Sequence, residues 1–204
     1  MNDDTIAQTG RMLGALLYYA PDDERNAAIL SQLRQHGREL TWPCGRCEAS
    51  AAALGQMVSG LAGEHRRALK QDWQRLFIGP DRLPAPPWGS VYLDRESVLF
   101  GDSTLALRQW LRQRGIAPQL ERREPEDHIG LMLMLAAWTA ENQPAWLDEL
   151  LAEHLLPWAM RYLELLEPGA RHPFYLGLAR LARISLNDWR EARRITVAKK
   201  AIFY

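Results

Sequence analysis

Apolar residues recur at three- and four-residue spacing through most of the chain, the period of amphipathic helices. Met12, Leu13, Leu16, Leu17 and Ala20 share one face of a helix predicted over Thr9 to Ala20, stopped by Pro21. Asp22-Asp23-Glu24 suits the N-terminus of a second helix, which carries Ala27, Ile29, Leu30 and Leu33 and ends near Gly37. Leu40 to Arg46 reads as a loop, Ala49 to Leu61 as an Ala-rich helix, and Glu64 to Phe77 as an amphipathic one bearing Leu69, Trp73, Leu76 and Phe77. Gly79 to Gly89 then holds four prolines and two glycines in eleven residues, so it must run extended or polyproline-like. Val91 to Phe100 reads as a short helical turn, and Asp102-Ser103 as the cap of a helix running to Gly115.

The centre of the pattern lies further on. Ile129 to Trp138 is apolar nearly all round a helical wheel, so this helix is expected in the middle of the protein, covered on every side. A polar linker, Ala117 to Arg123, leads into it. Trp146 to Leu166 is periodic with an interruption expected at Pro157, and a last helix starts at His172-Pro173 and runs to about Arg193. No run alternates with period two. The prediction is an all-α, single-domain helical bundle over residues 1–204, with any hinge between Phe77 and Ser90.

Composition narrows the function classes. Twenty-five basic and 25 acidic side chains cancel, so no global field draws nucleic acid or anionic membrane. A charged ligand must be read by a local patch. Eight tryptophans are many for 204 residues, and such rings serve both cores and binding surfaces. The acidic start, Met1-Asn2-Asp3-Asp4, does not read as a signal peptide, and no apolar run is long enough to span a membrane. With two cysteines and no export signal, the cytoplasm is the expected compartment.

Three features carry candidate chemistry. Cys44-Gly45-Arg46-Cys47 has redox-dithiol spacing, but no strand precedes it, and a zinc site would need two further ligands from loosely placed His36 and His65. A solvated interhelical loop is favoured there. The Pro84–Trp88 segment is a stiff surface connection or a pre-organised apolar platform, with Asp94, Glu96 and Asp102 following it. The densest feature is Glu124-Pro125-Glu126-Asp127-His128, three carboxylates and an imidazole in five residues at the mouth of the central helix. Pro125 suits a first helical turn. Acids there meet the macrodipole, at about 0.3–1 kcal/mol each, yet three together repel. On residue chemistry alone, a solvated cap and a functional site stand level. An Asp127–His128 acid/base pair is conceivable, but no nucleophile elbow, phosphate loop or dinucleotide fingerprint accompanies it.

Several segments in order resemble the TorD/DmsD family of redox-enzyme maturation chaperones. They are Trp73-Gln74-Arg75-Leu76-Phe77, Pro86-Pro87-Trp88-Gly89-Ser90-Val91, the run from Leu93 to Asp102, and Glu124-Pro125-Glu126-Asp127-His128. The resemblance implies a helical, non-catalytic cytoplasmic protein without a required cofactor. Its implied ligand is a twin-arginine (Tat) leader, that of the dimethyl sulfoxide reductase catalytic subunit, held until folding and molybdenum cofactor insertion are complete. Tat translocase components are implied as further partners, and neither nucleic acid nor an integral membrane segment. The family is also linked to guanine nucleotides, for which no phosphate cradle is visible. The matching peptide-site positions are Trp73, Leu76, Phe77, Pro87, Trp88, Glu124, Pro125, Asp127 and His128. Glu124 and Asp127 are expected to accept the guanidinium pair, Trp73, Leu76, Phe77 and Trp88 to cover the apolar segment, and His128 to orient an acid or sense pH. Cys44 and Cys47 inherit no role.

Overall fold

Two long helical pairings carry the architecture, seen in a computed structural model that describes residues 2–45, 47–63, 66–119 and 124–204. Helix α1 (Asp3–Tyr18) lies along α7 (Ile129–Asn142), and α3 (Cys47–Leu61) along α10 (Pro173–Ala192). Around them stand α2 (Glu24–His36), α4 (Arg66–Trp73), α5 (Gly89–Leu93), α6 (Asp102–Gln113), α8 (Leu147–Glu149) and α9 (Leu156–Gly169). No strand occurs among the described residues, only one isolated antiparallel bridge, Trp88 to His128. The all-helical reading holds. Residues of the linker at Leu120 to Arg123, and His65, lie outside the described residues, as does the side chain of Cys47.

The α1–α7 pairing is close because it is built on glycine. A Cβ added at Gly14 would lie 2.7 Å from the Gly130 carbonyl oxygen, and one at Gly130 would lie 2.6 Å from Tyr18 Cβ. At the next turn, a Cβ added at Gly10 would lie 2.8 Å from the Leu133 carbonyl oxygen. Backbone therefore meets backbone, and the two helices run antiparallel. That register sets the C-terminal end of α1 beside the mouth of α7, where Tyr18 meets His128 edge-on at 5.0 Å.

Several boundaries differ from the periodicity reading, each for a local reason. Helix α1 starts at Asp3 rather than Thr9, because the Asn2 side chain accepts the Thr5 N–H and caps it. Helix α6 is capped from outside: Asp94, not Asp102-Ser103, accepts the Ser103 N–H and hydroxyl, at 3.2 and 2.8 Å. Helix α7 starts at Ile129, after the acids, so Pro125 is not in its first turn. Its N-cap is His128, whose Nδ1 accepts the Gly130 N–H at 3.1 Å.

Two stretches widen into π geometry. Gln74–Ile78 extends α4 and closes where the Gly79 N–H reaches the Gln74 carbonyl. Leu150–Leu155 lies just upstream of Pro157. Proline lacks the N–H that would serve the Glu153 carbonyl, and Lys200 Nζ serves it instead. Beside it, the Ala198 N–H serves the Ala152 carbonyl at 3.0 Å. The C-terminal segment thus satisfies acceptors that the interrupted helix leaves over.

The glycine contact is testable against a glycine in open space. Gly130→Ala is expected to destabilise the fold by about 1–3 kcal/mol, as overpacking does. Gly55→Ala, on the exposed side of α3 where an added Cβ meets nothing, is expected to stabilise by about 0.5–1 kcal/mol. Urea unfolding of both variants measures the contrast.

Candidate functional site

The Pro-rich segment and the acidic cluster lie side by side. The Gly89 N–H donates to the Asp127 carbonyl at 3.1 Å, and the Ile129 N–H to the Pro87 carbonyl at 2.7 Å. Residues 87–89 thus pair with 127–129 as a two-rung antiparallel bridge. A turn precedes it, closed by the His128 N–H on the Pro125 carbonyl.

Asp127 fastens this junction from inside. It is 3% exposed, and its Oδ2 accepts the Ser90 N–H at 2.6 Å and the Thr104 hydroxyl at 3.0 Å. One oxygen therefore joins the mouth of α7 to the first turn of α5 and to α6. Burial pushes this carboxyl above its ordinary value, opposed by those two hydrogen bonds. Asp127, expected to accept a peptide guanidinium, is thus placed inside the junction, with Oδ2 taken by Ser90 and Thr104 and Oδ1 buried without a hydrogen-bond partner among the described residues.

The other acids also have partners. Glu126 is bound by Arg108 Nε at 2.7 Å. Glu124 accepts the Trp88 indole N–H. Of the three, Glu124 faces an indentation of about 120 Å³ that also gathers Trp73, Phe77, Trp88 and His128. Five of the nine expected site residues thus share one recess. Leu76 is fully buried core, and Pro87 and Pro125 are buried at the junction. These three, expected at the peptide site, are placed inside the protein, where they hold the walls of the recess.

His128 is placed at the N-cap of α7. It is 5% exposed, sits edge-on between Tyr18 and Trp88, and burial lowers its pKa to about 3. It is a neutral cap of α7 with no charge to offer near neutrality. Nor do Asp127 and His128 form an acid/base pair, since one turns to Ser90 and Thr104 and the other to Gly130.

Sequence reasoning missed the other wall of the recess, supplied by Tyr18, Tyr19, Asp23, Arg25 and Ile78. Only the α1–α7 register brings these residues opposite Glu124. Here Arg25 already shows what the recess accommodates: its guanidinium stands 3.9 Å over the Tyr19 ring and binds Asp23 through Nε and Nη2 at 2.8 and 2.7 Å. A planar cation on an aromatic face, gripped by a carboxylate, is arginine recognition in miniature. The near-surface carboxylates Asp94, Glu96 and Asp102 do not line this recess. No cluster of three or more His, Cys, Asp or Glu fit to hold a metal occurs among the described residues.

A family model described as the nitrate reductase delta subunit matches residues 45–164. The Tat proofreading chaperone DmsD of Salmonella typhimurium is 48% identical over 201 residues, 98% of this chain and 96% of that protein. Chaperone protein YcdY of Escherichia coli is 28% identical over 87% of this chain and 89% of its own. A crystal structure described as a redox enzyme maturation protein, from Archaeoglobus fulgidus, has the same fold, with a TM-score of 0.55 at 19% identity over 86% and 91% of the two chains. The chain belongs to the TorD/DmsD family of redox-enzyme maturation chaperones. Among the described residues no helix is long and apolar enough to cross a membrane.

Two measurements check the junction. Asp127→Ala leaves the Ser90 N–H and Thr104 hydroxyl without their acceptor and is expected to cost about 2–4 kcal/mol in urea unfolding; Glu124→Gln should change stability far less. The pH dependence follows from His128, which stays neutral in the fold down to about pH 3 but takes a proton near the ordinary histidine value of 6.5 when unfolded. Unfolding therefore takes up a proton in that window, and stability falls as pH drops from 6.5 toward 3, by at most about 1.4 kcal/mol per unit. His154, lowered to about 4 chiefly by burial, acts in the same direction. His128→Asn keeps an acceptor for the Gly130 N–H, and is expected to flatten this slope by about one proton in stability measured from pH 6 to 4.

Proposed function

We propose that this chain is a cytoplasmic chaperone that binds the twin-arginine leader of the dimethyl sulfoxide reductase catalytic subunit. It shields that leader, ahead of contact with the Tat translocase, until folding and molybdenum cofactor insertion are complete. The observation that carries the reading is the recess, where Glu124 stands among Tyr18, Tyr19, Trp73 and Trp88. The near end-to-end similarity to a chaperone named for Tat proofreading supports the same ligand.

In this reading an incoming arginine stacks on an aromatic wall and is gripped by Glu124, as Arg25 is by Tyr19 and Asp23. Trp88 is held in place by its bond to Glu124 and by the backbone bridge behind it. The site is then pre-organised, so little ordering of the protein opposes binding. Holding without catalysis needs a complex that forms readily and also releases, in the region of ~1 μM or somewhat tighter.

Calorimetry with a synthetic leader peptide tests this. Changing both arginines to glutamine is expected to weaken binding by at least about 30-fold, the equivalent of about 2 kcal/mol for a desolvated arginine–carboxylate pair. Glu124→Gln should weaken it by about tenfold with the fold intact. Equal affinity in both experiments returns Glu124 to a structural bond with Trp88 and rejects the reading.

A further inference from the structure

The recess is too small for a whole leader, which carries an apolar run after its arginines. Yet the face of α7 that was expected to be covered is not. Leu131, Met134 and Leu135 are only partly buried and Trp138 is 41% exposed. These four positions follow the i, i+3, i+4, i+7 rule, so they form a single stripe about 10 Å long. Across from the stripe stand Leu111 at the end of α6 and Ile116 after it, and together they wall an open groove of about 500 Å³. That is about four times the space of the recess. An exposed apolar face on the helix at the heart of the bundle calls for an occupant.

The groove adjoins the recess, since Tyr19, Gln119 and Leu131 line both. The two ends differ in chemistry. The recess presents the Glu124 carboxylate among aromatic rings. The groove offers mainly aliphatic and indole surface; its two charged lining residues are both paired, Glu126 with Arg108 and Arg114 with Glu149, and Arg114 lies over the Trp110 ring at 4.2 Å. We infer that the groove between α7 and the end of α6 is the seat of the apolar run that follows the arginine pair, with the peptide running from the recess at Glu124 along the stripe toward Trp138. This rests on the leader-binding reading above and adds an apolar seat beyond Trp73, Phe77 and Trp88, which line the recess. A run seated as a helix would lay one face into the groove, as amphipathic helices do in apolar trenches.

The experiment uses the whole chain, two peptides and two variants. One peptide carries an arginine pair and an apolar run; in the other, serine and asparagine replace the apolar residues. The double variant Leu135→Gln/Trp138→Gln, changed at half-exposed positions and confirmed folded by circular dichroism, is expected to bind the full peptide at least about tenfold more weakly. It should bind the serine/asparagine peptide as the unaltered chain does, within about twofold. Glu124→Gln should instead weaken both peptides. A photoreactive residue in the middle of the apolar run should label the segment Leu131–Trp138. If the groove variant binds the full peptide normally while Glu124→Gln does not, the groove assignment falls and the leader reading stands. If the unaltered chain binds neither peptide, both fall. If the groove variant instead turns a sedimenting dimer into a monomer with unchanged peptide affinity, the face belongs to a second copy of the chain and the assignment is overturned.

Discussion

The buried carboxylate of Asp127 is the constraint on which the rest of the site depends. A single oxygen accepts from Ser90 and Thr104 while the backbone on either side pairs with Pro87 and Gly89. Three elements distant in the chain therefore meet at one point. Burying a carboxylate is costly unless hydrogen bonds replace its water, and here the compensation is incomplete, since Oδ1 is buried without a partner among the described residues. Such a group holds a geometry in place better than it stabilises a fold. What it holds is the Trp88 segment against the mouth of α7.

The acidic cluster then resolves into separate tasks. Glu126 serves the surface pair with Arg108, Asp127 the junction, and Glu124 the recess. The even balance between capping and function arose because all of these look alike in sequence. Neither reading was complete. The macrodipole argument assumed the acids lay in the first turn of α7, yet His128 is the cap and the acids form the turn before it. Stiffness comes from Pro87 and Pro125, which present little of themselves to solvent but fix the backbone that carries Trp88 and Glu124.

A second constraint is steric. The glycines of α1 and α7 let the two backbones touch, and this places Tyr18, Tyr19 and the start of α2 across from Glu124. Half of the recess wall comes from residues whose sequence neighbourhood carries no sign of function. Tyr19 and Arg25 read as helix-end and helix-start residues until the fold sets a guanidinium over a ring. The same packing uses up three sides of α7 and leaves the fourth, through Trp138, at the surface.

Helical periodicity, the breaks at Pro21, Pro157 and the Gly79–Gly89 segment, and the central place of Ile129–Trp138 were all determined by the sequence itself. They depend on local chemistry: side-chain spacing, missing N–H groups and apolar content. The similarity of ordered segments also placed the chain in its family before any coordinates. Tertiary structure decided what depends on proximity between distant residues. It set Trp88 beside His128, turned Asp127 inward, drew Asp94 across to cap α6, and left one face of an apolar helix uncovered. Burial and hydrogen-bond partnership are properties of neighbours in space, and a carboxylate that grips a ligand is spelled the same as one that fastens a fold.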